Sequence, residues 1–94
     1  MKYLNWNNQK NEILKNYRSS TFEIVSHLIE TRQTLDIVDH PNRKKYPNQN
    51  IFVIEYRNYA YLSPFVEDEK QIFLKTIIPS RKATQKYLRS KTYG

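Results

Sequence analysis

The chain contains a single glycine, and it occupies the last position, Gly94. Loops that bind nucleotide phosphates depend on glycines at fixed spacings, because the backbone there must approach the phosphate closely. A chain without internal glycine cannot form a P-loop or a dinucleotide-binding loop. The sequence therefore excludes kinases, P-loop nucleotidases and Rossmann-type enzymes.

The length and the composition predict one small domain that spans residues 1–94. A chain of this size buries only roughly 60–65% of the surface that it exposes when unfolded. The absence of cysteine excludes disulfide scaffolds, zinc–thiolate sites and thiol nucleophiles. No apolar run reaches the ~18 residues of a membrane span, and the first residues lack the apolar segment of a signal peptide. We expect a soluble, cytoplasmic protein that uses no membrane, metal or cofactor.

The net positive charge is confined to the second half of the chain. The net charge is +7, yet the basic and acidic residues of positions 1–40 cancel, and from Gln71 onward there are basic residues but no acidic ones. Such a separation creates a directional field that attracts polyanions, either nucleic acid or an acidic protein. The alternative is a charged surface that only keeps the protein soluble.

Hydrophobic periodicity and capping residues predict an α+β fold with the element order β-α-α-β-β-β-β-α. A capping box of Ser20 and Glu23 opens the second helix. Strands joined by short turns imply a small antiparallel sheet, with the two N-terminal helices packed on it. The predicted elements, in chain order, are a strand over 2–6, helices over 8–17 and 21–32, strands over 34–39, 51–57, 59–66 and 71–78, and a final helix that Ser80 caps.

The final helix separates apolar from basic residues. At 100° per residue, one side carries Ala83, Thr84, Tyr87 and Leu88 and is expected to dock on the domain. The other side presents a row of cations whose spacing suits a phosphate backbone, and Arg81 lies at the seam, where it can line a cleft. The alternative is an ordinary amphipathic surface helix, although such helices usually interleave acidic partners. The residues predicted to bind RNA are Lys82, Lys86 and Arg89 of this helix and Lys44 and Lys45 of the loop after His40.

Three segments resemble BrnT-type toxins of the RelE/ParE-like toxin–antitoxin superfamily. The segment 79–84 (Pro-Ser-Arg-Lys-Ala-Thr) after an apolar strand is similar to the family's Ser-Ala-Arg-Arg/Lys-Ala segment, which opens the last helix. The opening Asn5-Trp6-Asn7 with Lys10 resembles Asp-Trp-Asp…Lys, and Phe22-Glu23 resembles Ser-Phe-Glu-Glu. Two segments depart from the family pattern: 16–19 stands in place of Lys-His-Gly-Val, and Pro79-Ser80 in place of Ser-Ala.

The resemblance implies a RelE/BrnT-like fold and the toxin role of a type II toxin–antitoxin system. Members of the family are inferred to act as metal-independent ribonucleases, often on mRNA at the ribosome, and a cognate antitoxin inhibits them by direct binding. Only Arg81 carries over as an active-site residue. The implied partners are therefore an antitoxin protein, RNA and the ribosome.

Metal-independent RNA cleavage requires a base for the 2′-hydroxyl, cations for the phosphorane and an acid for the leaving oxygen. Arg81 suits the cationic role because its planar guanidinium binds two phosphate oxygens at once. Lys75 is a second candidate, either as an acid or base among apolar neighbours or merely as a long side chain at a sheet edge. His40 is the third catalytic candidate; otherwise it is a turn residue before Pro41.

The sequence leaves three functions open. The first is an endoribonuclease toxin that uses Arg81, Lys75 and His40. The second is a non-catalytic module of the same fold that binds nucleic acid or protein through its basic helix, and the small acid–base inventory favours this module. The third is a ParE-like poison of DNA gyrase, which the superfamily also contains.

Overall fold

The computed structural model describes residues 2–17 and 21–89, which form a mixed α+β fold around one six-stranded sheet. The predicted fold class is therefore confirmed at the level of α+β. The strands are β1 (Tyr3–Trp6), β2 (Thr34–Asp39), β3 (Gln49–Tyr56), β4 (Tyr59–Glu67), β5 (Gln71–Leu74) and β6 (Ile78–Pro79). The helices are α1 (Asn8–Tyr17), α2 (Phe22–Glu30) and α3 (Arg81–Thr84), and α3 continues as a π-helical turn, Gln85–Arg89. We call residues 81–89 the C-terminal helix.

The sheet is mixed, and the prediction of a purely antiparallel sheet is wrong in one strand. The strand order is β1-β5-β4-β3-β2, with β6 paired to β4 beyond the end of β5. Strands β2 to β5 form the expected antiparallel meander, whereas β1 pairs with β5 in parallel. Short turns make neighbouring strands antiparallel, but β1 lies far from β5 in sequence and no short turn connects them. The chain leaves β1 through α1 and α2 and enters β2 at the opposite edge of the sheet.

The predicted strand over 71–78 is divided at Lys75. The Lys75 N–H donates to the carbonyl of Pro64 (2.8 Å), but Pro64 has no N–H with which to continue the ladder. Pairing resumes between Leu62 and Ile78 with the register shifted by one residue. In a regular strand, Lys75 and Ile77 would share one face of the sheet. After the shift they do not, because Ile77 is buried in the core while Lys75 is exposed.

Apolar clusters lie on both faces of the sheet. Phe52 and Ile54 belong to one cluster and Val53 to the other, and successive residues of a strand point to opposite faces. Helices α1 and α2 cover the larger cluster, and the C-terminal helix covers the smaller one. The buried members of the larger cluster are Leu14, Phe22, Val25, Phe52, Ile54, Phe65, Leu74 and Ile77. Those of the smaller cluster are Val53, Ala60 and Ala83, with half-buried Leu35, Val38, Leu62, Tyr87 and Leu88 around them.

The predicted capping box is replaced by a different start to α2. The N-cap is Thr21, whose hydroxyl accepts from the Ile24 N–H, and Ser20 lies outside the described residues. The Glu23 carboxylate accepts from the amide of buried Asn11, which lowers the pKa of Glu23. The Asn11 carbonyl in turn accepts from the Phe22 N–H at 2.9 Å. Asn11 therefore joins α1 to the first turn of α2, a contact between residues too distant for a capping rule to find.

Residues other than glycine hold left-handed backbone at two turns. Arg57 and Asn58, both with positive φ, form the two-residue turn between β3 and β4. Arg32, with φ of 59°, ends α2: its N–H bonds to the carbonyl of Ile29, and the Gln33 N–H bonds to the carbonyl of Leu28. This is the Schellman arrangement, in which the left-handed position is usually glycine.

Candidate anion-binding cleft

The C-terminal helix is fixed to the β3–β4 hairpin through Ala60. The Ser80 N–H donates to the Ala60 carbonyl (3.0 Å), and the Ala60 N–H donates to the Thr84 hydroxyl (2.9 Å). Thr84 also donates to the Ser80 carbonyl (2.7 Å), while the Ser80 hydroxyl caps the helix by accepting from the Ala83 N–H. Because Ala60 and Thr84 are buried, these bonds are shielded from water and hold the helix in one orientation.

The two faces of the C-terminal helix are those that the sequence predicts. Ala83 and Thr84 are buried, and Tyr87 and Leu88 are half-buried against the sheet. The exposed residues are Arg81, Lys82, Gln85, Lys86 and Arg89. The second half of the helix is π-helical, a conformation that is frequent at functional sites.

A polar cleft of about 320 Å³ lies between this helix and the hairpin. Its lining consists of Tyr59, Arg81, Thr84, Gln85 and Arg89, and we call it the Arg81 cleft. Arg81 and Arg89 both line it and none of its described lining residues carries a carboxylate, so the cleft suits an anion. Because the Thr84 hydroxyl is already bonded on both sides, the groups left for a ligand are those of the arginines, Gln85 and Tyr59.

Of this lining, the predicted site residues omit Tyr59, Thr84 and Gln85, and Tyr59 is the aromatic residue among them. It is the first residue after the Arg57–Asn58 turn, and its ring meets that of Tyr61 edge to face with centroids 5.8 Å apart. Arginine keeps its proton in proteins, so Tyr59 is the side chain of the lining that is able to exchange one. Its position after a tight turn is readable from sequence, but its proximity to Arg81 depends on how the final helix packs.

The lysines of the helix line a different depression on its opposite flank. There Lys82 and Lys86 border a groove of about 350 Å³ whose floor is apolar, and we call it the lysine groove. Its other lining residues are Val38, Pro41, Val53, Leu62, Ser80, Ala83 and Tyr87. The predicted stripe of cations is thus divided between two concave surfaces, with Arg81 and Arg89 on one and Lys82 and Lys86 on the other.

Tyr87 connects the helix to the edge strand β2. Its hydroxyl donates to the Asp36 carboxylate at 2.7 Å. This bond lowers the pKa of Asp36 and raises the pKa of Tyr87, because it favours the charged form of the carboxylate and the neutral form of the phenol. A hydrogen bond that forms at neutral pH therefore joins Tyr87, one of the residues that line the lysine groove, to β2.

The other predicted site residues lie outside the Arg81 cleft. Lys75 is exposed between β5 and β6 and lines neither the cleft nor the groove. His40 follows β2, and its Nδ1 accepts from the Asn42 N–H at 3.0 Å. Lys44 and Lys45 are exposed on the loop after His40. The structure thus brings Arg81 and Arg89 together but places Lys75 and His40 elsewhere, and a catalytic role for either stays a prediction.

Within 2–17 and 21–89, no three histidine, aspartate or glutamate side chains converge on a point where a metal ion would bind. Over the same part of the chain, no helix has the length and apolar character needed to span a bilayer.

Comparison with known proteins identifies no relative. No protein-family model, no curated protein and no solved structure matches the chain.

Proposed function

We propose that this protein is a toxin of a type II toxin–antitoxin system that binds RNA in the Arg81 cleft and cleaves it without a metal. The observation that carries the proposal is the pairing of Arg81 and Arg89 in one cleft to which the described residues contribute no carboxylate. The helix that bears them is anchored to the hairpin through the hydrogen bonds of Ala60 and Thr84, which fix the backbone from which both exposed side chains extend. Cations brought to one place in this way stabilise a charged transition state.

The proposed reaction is an attack of the ribose 2′-oxygen on the adjacent phosphorus. The P–O bond to the 5′-oxygen breaks, giving a 2′,3′-cyclic phosphate and a free 5′-hydroxyl. Arg81 and Arg89 neutralise the charge that accumulates on the equatorial oxygens of the phosphorane. Tyr59 donates its hydroxyl proton to the leaving 5′-oxygen, while solvent water takes the proton of the 2′-hydroxyl and returns one to Tyr59, so that no net proton is consumed.

The proposed partners follow from the charge of the molecule. The second half of the chain carries the whole net charge of +7, and every charged residue of the C-terminal helix is a cation. RNA, at the ribosome or free, meets this surface as a polyanion, and a cognate antitoxin inhibits the protein by covering it with an acidic surface.

A second candidate is a non-catalytic RNA-binding protein of the same fold. It is favoured by the lining of the Arg81 cleft, to which the described residues contribute neither a histidine nor a carboxylate that could act as the general base. The cations alone would then hold the phosphate backbone, with an affinity that falls steeply with salt.

The proposal is tested by expressing the full chain alone in a bacterial host and by adding purified protein to translating ribosomes with EDTA present. We expect growth arrest and RNA fragments that end in cyclic phosphate. Arg81→Ala should lower the cleavage rate roughly 100-fold or more, since one lost transition-state donor costs that much. Lys10→Ala is the matched control, because it removes one exposed cation from α1 and should leave the rate unchanged.

Three outcomes separate the candidates. An Arg81→Ala variant that still arrests growth and cleaves at the wild-type rate contradicts the proposal. Salt-sensitive RNA binding without cleavage, even with ribosomes present, supports the binding protein instead. In the same assay, a loss in Lys75→Ala or His40→Ala equal to that of Arg81→Ala would place that residue in the chemistry.

A further inference from the structure

The loop between β2 and β3, residues 40–48, is held in one shape by its own hydrogen bonds. We call it the basic loop. The Asn42 N–H donates to His40 Nδ1, the Asn42 side-chain carbonyl accepts from the Lys45 N–H, and the Asn42 backbone carbonyl accepts from the Tyr46 N–H. His40 also donates its N–H to the carbonyl of Gln49. The backbone of this loop therefore has a defined course, although most of its side chains are exposed.

An aromatic pair lies on the surface of the basic loop. The rings of His40 and Tyr46 pack against each other with centroids 4.5 Å apart. Tyr46 is 37% exposed and belongs to neither apolar cluster of the sheet. Its ring thus lies outside the core, packs against His40, and keeps about a third of its surface open to a ligand.

One cation lies beside this pair and another is close to it in sequence. Lys45 Nζ lies 5.5 Å from the centroid of the Tyr46 ring, and Lys44 precedes it on the same turn, whereas Arg43 is paired with the Asp39 carboxylate at 2.6 Å. Aromatic rings flanked by cations are how proteins bind single-stranded nucleic acid: the ring stacks on an unpaired base and the cations meet the phosphates. A base in a duplex is already stacked on both sides and cannot use such a ring.

The aromatic pair is continuous with the basic surface of the C-terminal helix. Pro41, the residue after His40, lines the lysine groove together with Lys82 and Lys86. The far flank of that helix carries Arg81 and Arg89. Cations are therefore found on the basic loop, on both flanks of the helix and in the Arg81 cleft.

We propose that Tyr46, backed by His40, is a stacking site for an unpaired base, and that the ligand of this surface is single-stranded RNA. The proposal rests on RNA binding in the Arg81 cleft and adds the class of RNA. The backbone of the strand crosses Lys82 and Lys86, while the base that lies over the basic loop stacks on the exposed part of the Tyr46 ring.

The test measures the binding of the full chain to a fluorescent single-stranded RNA and to a duplex of the same length, by anisotropy at low salt. Tyr46→Ala should weaken single-strand binding roughly fivefold to a hundredfold, the measured range for one lost stacking contact. It should leave duplex binding unchanged. Tyr46→Phe keeps the ring and should bind as the wild type does, and Lys10→Ala serves as the charge-loss control.

The outcomes distinguish the stacking site at Tyr46 from RNA binding in the Arg81 cleft. If Tyr46→Ala binds the single strand as tightly as the wild type, or loses single-strand and duplex binding equally, the stacking site is wrong. If binding is lost in an Arg81→Ala, Arg89→Ala double variant while Tyr46→Ala has no effect, RNA binding in the cleft stands and only the stacking site fails. If the wild type binds neither RNA, both proposals fail. A melting curve of Tyr46→Ala that matches the wild type shows that any loss is local.

Discussion

The two faces of the sheet are covered in different ways. On one face, α1 and α2 bury large side chains such as Phe22, Ile54 and Leu74 in the larger cluster. On the other, a short helix covers a cluster whose buried members are small, and buried hydrogen bonds to Ala60 help to fix it. The first face supplies most of the apolar burial that stabilises the fold. On the second face, less apolar surface is buried and hydrogen bonds help to hold the helix. The cations of that helix are exposed to solvent, as they must be to bind a ligand.

The largest expected effect on stability comes from removing a large side chain from the larger cluster. Phe22 is completely buried, so Phe22→Ala should lower the free energy of unfolding by about 3–5 kcal/mol through lost burial and the cavity that remains. On the other face, Leu88→Ala should cost only about 1–2 kcal/mol because Leu88 is half-buried.

Urea denaturation of both variants measures this difference. If Phe22→Ala does not fold at all, Phe22→Leu keeps most of the volume and should cost less than about 1.5 kcal/mol. Equal costs for Phe22→Ala and Leu88→Ala would contradict the unequal division of burial between the faces.

An intermediate effect is expected where hydrogen bonds fix the C-terminal helix. Thr84→Val keeps the shape of the side chain but leaves the buried Ala60 N–H without an acceptor, which should cost about 1–3 kcal/mol. RNA affinity should fall with it, because the same helix orients Arg81 and Arg89.

Thr84→Ser is the matched control, since it keeps the hydroxyl and loses one methyl group, worth about 0.8 kcal/mol. Melting curves and the anisotropy assay measure both quantities. A Thr84→Val protein as stable as Thr84→Ser and equal to it in RNA affinity would show that the Ala60 bonds do not fix the helix.

The smallest effect concerns the bond between Tyr87 and Asp36, and it depends on pH. The folded-state pKa of Asp36 is lowered, so its stabilisation is present above the unfolded pKa of about 3.9 and is lost as the pH falls below it. The folded-state pKa of Tyr87 is raised, so its stabilisation is present below about pH 10 and is lost as the pH rises through the folded value. Tyr87→Phe should therefore lower stability slightly at neutral pH and match the wild type at both extremes.

Denaturation midpoints of wild type and Tyr87→Phe across this pH range measure the difference. The matched control is Tyr56→Phe, which removes a half-buried hydroxyl from β3 and should shift the midpoint equally at every pH. A gap between wild type and Tyr87→Phe that does not change with pH would show that the bond to Asp36 contributes nothing.

What could be predicted from the sequence is what local periodicity and turn chemistry determine. The buried and exposed sides of the C-terminal helix follow from its 100° repeat, and the Ser80 cap and the turn at Asn58 follow from the chemistry of those residues. The antiparallel meander follows from the short connections between its strands. Arg81 and Arg89 could be assigned to the same side of one helix for the same reason.

The rest depends on contacts between residues that are distant in the chain. The parallel pairing of β1, the bond from Asn11 to Glu23, and the approach of Tyr59 to Arg81 each join separate elements. The predicted last strand is interrupted at Lys75 because Pro64, on the neighbouring strand, breaks the ladder of hydrogen bonds. This effect can be foreseen only when the pairing of the two strands is known. Candidate residues of a cleft between two elements are therefore predictable one element at a time, but not as a set.

The left-handed backbone at Arg32 and Arg57 has a consequence for how much change the chain tolerates. A long side chain in this conformation costs on the order of 1 kcal/mol that glycine would not incur. Glycine in place of either arginine would remove that cost. A chain with such a replacement should therefore tolerate one mildly destabilising replacement on the exposed side of the C-terminal helix without a net loss of stability.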